Sequence, residues 1–216
     1  MGSDEQRYGV VLALVVVSTV FQLVVSSADG PRFAVIALQA MTLVAAVRTA
    51  RVRRLGVQVA AAAATLAVLA SLATWIAKAE IPYAFAAVVG LLLVAVAPPV
   101  LAAGLVRDLR ATRHVSLHTL AGVLAIYLLI GMFFAFAYGV VDALDGSALF
   151  ADRADSTPAE RLYFSFVTLS TVGYGDFSPG ADGSRTLAVA EMLIGQIYLV
   201  TIVSLIVANL GRRRPA

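Results

Sequence analysis

The sequence predicts an all-α membrane protein with six crossing helices. A short additional helix and an extended loop enter the bilayer from one side and return to it. Three observations carry this prediction. Of the 216 residues, 61% are hydrophobic and only 13% are charged, whereas a soluble domain holds about half apolar and about 25% charged residues. Apolar runs near the roughly 20 residues that a crossing helix needs recur along the chain. Between the last two of them lies TLSTVGYGDFSP, Thr168 to Pro179, whose spaced glycines suit neither a helix nor an ordinary strand.

The apolar segments run approximately Tyr8 to Ser27, Phe33 to Ala50, Leu55 to Ala77, Ile81 to Val106, Leu117 to Val141 and Leu187 to Leu210. The second is the shortest, so Arg48 near its end is expected to snorkel to the interface. Pro98, Pro99 and Gly104 in the fourth predict a kink or an early end, because proline removes a backbone donor and clashes with the preceding turn. Ser26-Ser27-Ala28 resembles a peptidase site, but Asp4 and Glu5 precede the apolar run, which is long for a signal segment. An uncleaved first helix is expected. Six residues follow the last segment, so no soluble regulatory domain is expected there.

Charge sets the expected orientation. Eleven of the 16 Lys and Arg residues fall in alternate loops: Arg7, then Arg48, Arg51, Arg53 and Arg54, then Arg107, Arg110 and Arg113, then Arg212, Arg213 and Arg214. The other five share the opposite side with nine acids. Positive charge favours the cytoplasm, so both termini are expected there, in the plasma membrane. These clusters read as topology signals rather than as a nucleic-acid footprint. Without cysteine there is no disulfide framework, thiolate metal site or cysteine nucleophile. No phosphate-binding P-loop and no HExxH motif occurs, so no enzyme chemistry is expected.

The longest connection, Asp142 to Ser184, is not uniformly polar. Asp142 to Asp155 is acidic and reads as a turret. Thr157-Pro158-Ala159-Glu160 carries a helix start: a hydroxyl cap, proline at the first helical position and glutamate three residues after the cap. About 14 residues of helix reach about 21 Å, too short to cross a bilayer. The segment is therefore expected to re-enter, and the chain must return as Thr171-Val172-Gly173-Tyr174-Gly175-Asp176. Non-helical backbone at membrane depth survives only where protein or a water-filled path covers it. The glycines allow positive φ, and alternating the usual and mirror-image conformations aims successive carbonyls the same way.

This stretch resembles the pore helix and selectivity filter of potassium channels, in which TVGYG carbonyls replace the hydration shell of the ion. The resemblance continues through Phe177-Ser178-Pro179, through Arg185 at the start of the inner helix and through Gly195 at a hinge position. RTLAVAEMLIGQIYL, Arg185 to Leu199, resembles the inner helix of small bacterial members. It covers about Ser116 to Leu210 and is specific for the pore half.

The resemblance implies a potassium-selective channel that conducts passively, with K+ as the permeant ion and no cofactor. One filter loop per chain implies a homotetramer in the lipid bilayer. It also implies a peripheral region, residues 1–114, and a pore domain, residues 115–216. Within the pore domain the outer helix is expected over 117–141, the pore helix over 157–170, the filter over 171–176 and the inner helix over 187–210. Val172, Gly173 and Tyr174 would offer carbonyls to dehydrated K+. Thr171 would offer a carbonyl and a hydroxyl at the cavity end, and Gly175 would complete the outer mouth. The Tyr174 ring is expected to pack on Tyr163 and Phe164, with Asp176 behind the filter beside the Tyr163 hydroxyl.

Glu191 lies about two turns into the last helix, where an intramembrane carboxylate invites a functional reading. It either braces the pore helix or filter from behind, or shapes the field near the cavity, or is a protonated or hydrogen-bonded structural group near Ser165 or Thr168. Gln196 either lines the cavity or joins helices. Arg212, Arg213 and Arg214 could hold anionic lipid, though a topology anchor is the plainer role. His114 and His118 read as interfacial residues. The six-helix layout resembles voltage-gated channels, yet Ile81 to Val106 contains no Lys or Arg. Little intrinsic voltage dependence is therefore expected. The Ala60 to Ala64 run suggests close helix packing.

Overall fold

The computed structural model describes residues 2–24, 32–77, 83–112, 116–144 and 148–210. The expectations that concern Ser26-Ser27-Ala28, His114 and Arg212, Arg213 and Arg214 lie outside the described residues. The described chain is all-helical apart from short connections. Its helices are α1 (Gly2–Val24), α2 (Arg32–Thr49), α3 (Arg54–Ile76), α4 (Tyr83–Thr112), α5 (Leu117–Leu144), α6 (Pro158–Leu169) and α7 (Asp182–Leu210). Five stretches are long and apolar enough to cross a membrane: Arg7–Val24, Arg54–Ala73, Phe85–Ala111, His118–Leu144 and Asp182–Ile202. Phe33–Thr49 is apolar but shorter.

Spacing explains how the helices pack. On α1, Tyr8, Val11, Val15, Ser18 and Gln22 are buried at alternating intervals of three and four residues, which is one face of a helix. On α2, Ile36, Gln39, Leu43 and Ala46 form a similar stripe, which Ala50 continues just past its end. Tyr8 donates to Asp108 Oδ2 at 2.9 Å, joining the foot of α1 to the end of α4. The Arg107 guanidinium donates to the Ala50 carbonyl just beyond α2. One core cluster draws Val15, Leu43, Val94, Leu101, Leu129 and Met132 from α1, α2, α4 and α5, together with Leu162 of α6. Helix α3 stands at the edge: only 6% of its apolar span is buried. Of Ala60 to Ala64, Ala64 is buried and Ala60 packs partly buried against the core.

Two boundary expectations change. Helix α4 does not end at its prolines but continues through Pro98 and Pro99 to Thr112. The prolines remove the bonds to the Val94 and Ala95 carbonyls and crowd the preceding turn. Burial of Val94, Ala97, Leu101 and Leu105 on both sides of the break holds the helix together. Helix α7 starts at Asp182, five residues before Leu187. The Ser184 hydroxyl accepts from Ala181 N at 3.1 Å, which satisfies a helix-start donor, and Asp182 sits at the positive end of the helix dipole.

The acidic turret is anchored rather than simply solvated. Leu149 and Phe150 are buried. Ala151 N donates to Ser178 O at 2.9 Å and Gly180 N to Leu149 O at 2.8 Å, stitching the turret to the segment after the glycine loop. Phe150 meets Phe164 edge-on at 5.3 Å and Phe177 at 4.8 Å. Arg161, which composition places among the outer-loop charges, is 1% exposed. It pairs with Asp142 at 3.0 Å and donates to the Ser156 carbonyl at 2.8 Å. This pair ties the first turn of α6 to the end of α5.

Removing one partner of a buried ion pair typically costs 3–5 kcal/mol. Asp142→Ala should therefore lower the stability of the detergent-solubilised protein by about 3 kcal/mol. Asp152→Ala, whose side chain is 51% exposed, should cost less than about 1 kcal/mol. Thermal unfolding followed by circular dichroism distinguishes the two.

Candidate functional site

The site begins with how α6 starts. Thr157 has extended backbone, with φ −90° and ψ 157°, and its hydroxyl accepts from Glu160 N at 3.2 Å. The Glu160 carboxylate reaches back to Thr157 N at 2.7 Å, closing the expected capping box. Partial burial pushes the Glu160 carboxyl up, but the Thr157 N–H and the Arg153 guanidinium at 2.7 Å outweigh it and hold the group below its usual range. Arg153 also lies 4.5 Å over the Phe177 ring. The helix start, the turret and the post-loop segment thus form one connected unit.

The end of α6 sets up the loop. Thr171 N donates to Thr168 O and Val172 N donates to Val167 O, each at 3.0 Å. This crossed pair is a Schellman ending, which requires left-handed backbone at the first residue past the cap residue Ser170. That residue is Thr171, with φ +58°. A β-branched residue pays steric strain in this region. Among the described residues, only Arg51 shares a positive φ without being glycine. Gly173 follows at φ +57° and Gly175 at φ +81°. Positive φ therefore recurs at every second residue from Thr171 to Gly175, and Thr171 to Asp176 are all exposed in the single chain.

Behind the loop, Tyr163 donates to Asp176 Oδ2 at 2.8 Å. Accepting that bond, Asp176 favours the protonated phenol and raises the Tyr163 pKa. Phe177 N donates to Asp176 Oδ1 at 3.1 Å. The Tyr163 and Tyr174 rings stack with centroids 6.4 Å apart and planes 10° apart. Phe164 faces away from that pair and meets Tyr138 edge-on at 5.1 Å, as well as Phe150.

Helix α7 presents two faces. On the inner face, Glu191 is fully buried at 0% exposure. It accepts from the Tyr138 hydroxyl at 2.7 Å and meets the Ser165 hydroxyl at a short distance. Tyr198, one turn past Gly195, donates to Val123 O at 2.6 Å. Gly195 is where α7 crosses the end of α6: a Cβ there would fall on the Leu169 carbonyl oxygen. Close approach is thus one reason for glycine at this position, in a helix that runs unbroken through it. The outer face carries Val189, Met192, Gln196, Ile197 and Val200, all exposed, with Gln196 beside the apolar residues.

Sequence reasoning missed Tyr138, Arg161 and Phe150. Tyr138 reads as an interfacial ring near a helix end. Arg161 beside Glu160 reads as a solvated charge. A signal existed: Arg161, Ser165 and Leu169 are spaced by four and share one buried face of α6.

Residues 122–212 match the family described as "Ion channel". The chain is 35% identical over 102 residues to Protein LctB of Bacillus caldotenax, covering 44% of this chain and 75% of that one. It is 34% identical to Protein LctB of Geobacillus stearothermophilus, covering 83% of it. It is 38% identical over 81 residues to Two pore potassium channel a of Oryza sativa, of which it spans only 21%. No solved structure matches the chain.

Overpacking typically costs 1–3 kcal/mol. Gly195→Ala should destabilise by about 2 kcal/mol, because the Leu169 backbone cannot swing aside as a side chain would. Gly9→Ala, in α1 with nothing within 4 Å, should be neutral or stabilising by about 0.5–1 kcal/mol. Thermal unfolding of both variants checks the opposite signs. The described residues are helical, with several membrane-length apolar helices; residues 122–212 match the ion-channel family and the chain covers most of its bacterial relatives, so it belongs to that family of ion channels, which are not enzymes.

Proposed function

We propose that four copies of this chain form a potassium-selective channel, conducting passively through a central path lined by the backbone of Thr171 to Gly175. The alternating positive φ at Thr171, Gly173 and Gly175 carries this reading. Alternation of the two backbone hands turns successive carbonyls toward one side, and a row of carbonyls can replace the hydration shell of a bare cation. Val172, Gly173 and Tyr174 supply carbonyls, Thr171 adds its hydroxyl at the cavity end, and Gly175 forms the outer mouth. A single chain leaves these groups exposed, as well as the Val189, Met192, Gln196 and Val200 face of α7. Both surfaces are accounted for when copies surround an axis.

In this architecture residues 1–114 are peripheral and residues 115–216 form the pore domain. Six helices cross the plasma membrane with both termini in the cytoplasm, and α6, at 12 residues or about 18 Å, re-enters. Helix α2 spans about 27 Å with 18 residues, short enough to call on local thinning and snorkelling by Arg48. Little voltage dependence follows from the chemistry of α4. Its apolar span carries no cation before Arg107, and Arg107 is held at the Ala50 carbonyl.

The test is K+ efflux from K+-loaded liposomes containing the purified protein. Gly173→Ala places a Cβ on left-handed backbone, at a cost of about 1–2 kcal/mol, and disturbs the carbonyl row. Efflux should drop to background while chemical cross-linking still yields tetramers. Undiminished K+ efflux in Gly173→Ala would overturn the assignment of the conducting path.

A further inference from the structure

The geometry points to Glu191 as a positioning residue that works as the neutral acid, its carboxyl proton joining the inner helix to the pore helix through Ser165. The inference rests on the proposed channel for its functional consequence, but its chemistry is read from hydrogen-bond counting alone.

Three contacts meet at this carboxyl. Tyr138 of α5 donates to Glu191 Oε2 at 2.7 Å. Ser165 of α6 lies against Glu191 Oε1. The same Ser165 hydroxyl lies 2.7 Å from the Gly131 carbonyl oxygen of α5. A tyrosine hydroxyl and a serine hydroxyl supply one proton each, and a carbonyl supplies none. With an ionised Glu191, two protons must serve three contacts, so Ser165 must leave either the Gly131 carbonyl or the carboxylate facing an unprotonated oxygen. With a protonated Glu191 every contact is met: Glu191 donates to Ser165, Ser165 donates to Gly131 O, and Tyr138 donates to Glu191.

The surroundings favour the same form. Glu191 and Ser165 are both 0% exposed. The titratable groups facing Glu191 are Tyr138 and, within electrostatic reach, Tyr127, both from α5. From α6 it meets Ser165, and no cation of α5, α6 or α7 pairs with it among the described residues. A lone buried carboxylate without a counter-charge is costly, and the group neutralises instead.

The consequence is directional. Gly195, one turn below Glu191, rests on the Leu169 carbonyl at the end of α6. The Glu191 bridge at Ser165 and the Gly195 contact at Leu169 together fix the pore helix against α7, six and two residues before Thr171. Loss of the proton to solvent base forces Ser165 to choose between its acceptors and loosens the bridge. The bridged state is therefore complete while the carboxyl keeps its proton and is lost when it ionises. Glutamine cannot ionise, yet its amide can donate to Ser165 and its carbonyl can accept from Tyr138.

The experiment joins two readouts on reconstituted protein. Infrared difference spectra of wild type against Glu191→Gln should show a protonated carboxyl band at neutral pH. The band should shift in Ser165→Ala and vanish on alkaline titration. Over that same pH range, wild type should lose its preference for K+ over Na+, while Glu191→Gln keeps it throughout. Absence of the band at neutral pH overturns the proposal whether or not the chain conducts. A band that titrates with no change in selectivity overturns the positioning role. Wild type that carries no K+ at neutral pH counts against the channel reading instead, and the band and its Ser165→Ala shift then decide the bridge.

Discussion

An extended, strained stretch of backbone must be held in place by the helices around it, and the hold on α6 is the constraint from which the rest of this structure follows. Helix α6 is only 12 residues long, so propensity alone would leave it marginal. It is fixed at its start by a capping box, on its flank by the Arg161–Asp142 pair and the Ser165–Glu191–Tyr138 contacts, and at its end by the Gly195 crossing. These ties come from α5, α7 and the turret. The apolar packing of α1 and α4 onto α5 backs them from outside.

The strain in the loop becomes intelligible against that hold. Thr171 occupies left-handed backbone because the Schellman ending of α6 demands it, not because threonine favours it. The cost of that conformation, of order 1–3 kcal/mol, persists only where surrounding structure over-determines it. The next two positive-φ positions are glycines, where the cost is small. In the proposed channel this division is useful: threonine contributes a hydroxyl where a glycine could not, and the glycines carry the alternation onward.

Much of this was legible in the sequence, and the reasons differ by feature. Helix existence followed from apolar length, and the α6 start followed from Thr157, Pro158 and Glu160 because capping chemistry is local. The Tyr163–Asp176 bond followed from the resemblance to potassium channels. The continuation of α4 through Pro98 and Pro99 did not, because tertiary burial outweighed a local breaking signal. Arg161 and Tyr138 were missed because their roles depend on partners 19 and 53 residues away. Glu191 was visible as an oddity, but its use needed the Ser165 and Gly131 distances. The Phe150 anchor was hidden in a segment read for its four aspartates, Asp142, Asp145, Asp152 and Asp155.

The most direct test of the central claim is the bi-ionic reversal potential of the purified protein in lipid bilayers, with K+ on one side and Na+ on the other. The account predicts reversal close to the potassium equilibrium potential. A reversal near zero, with Na+ passing as readily as K+, would contradict it, because a row of carbonyls held as argued here should not treat the two ions alike.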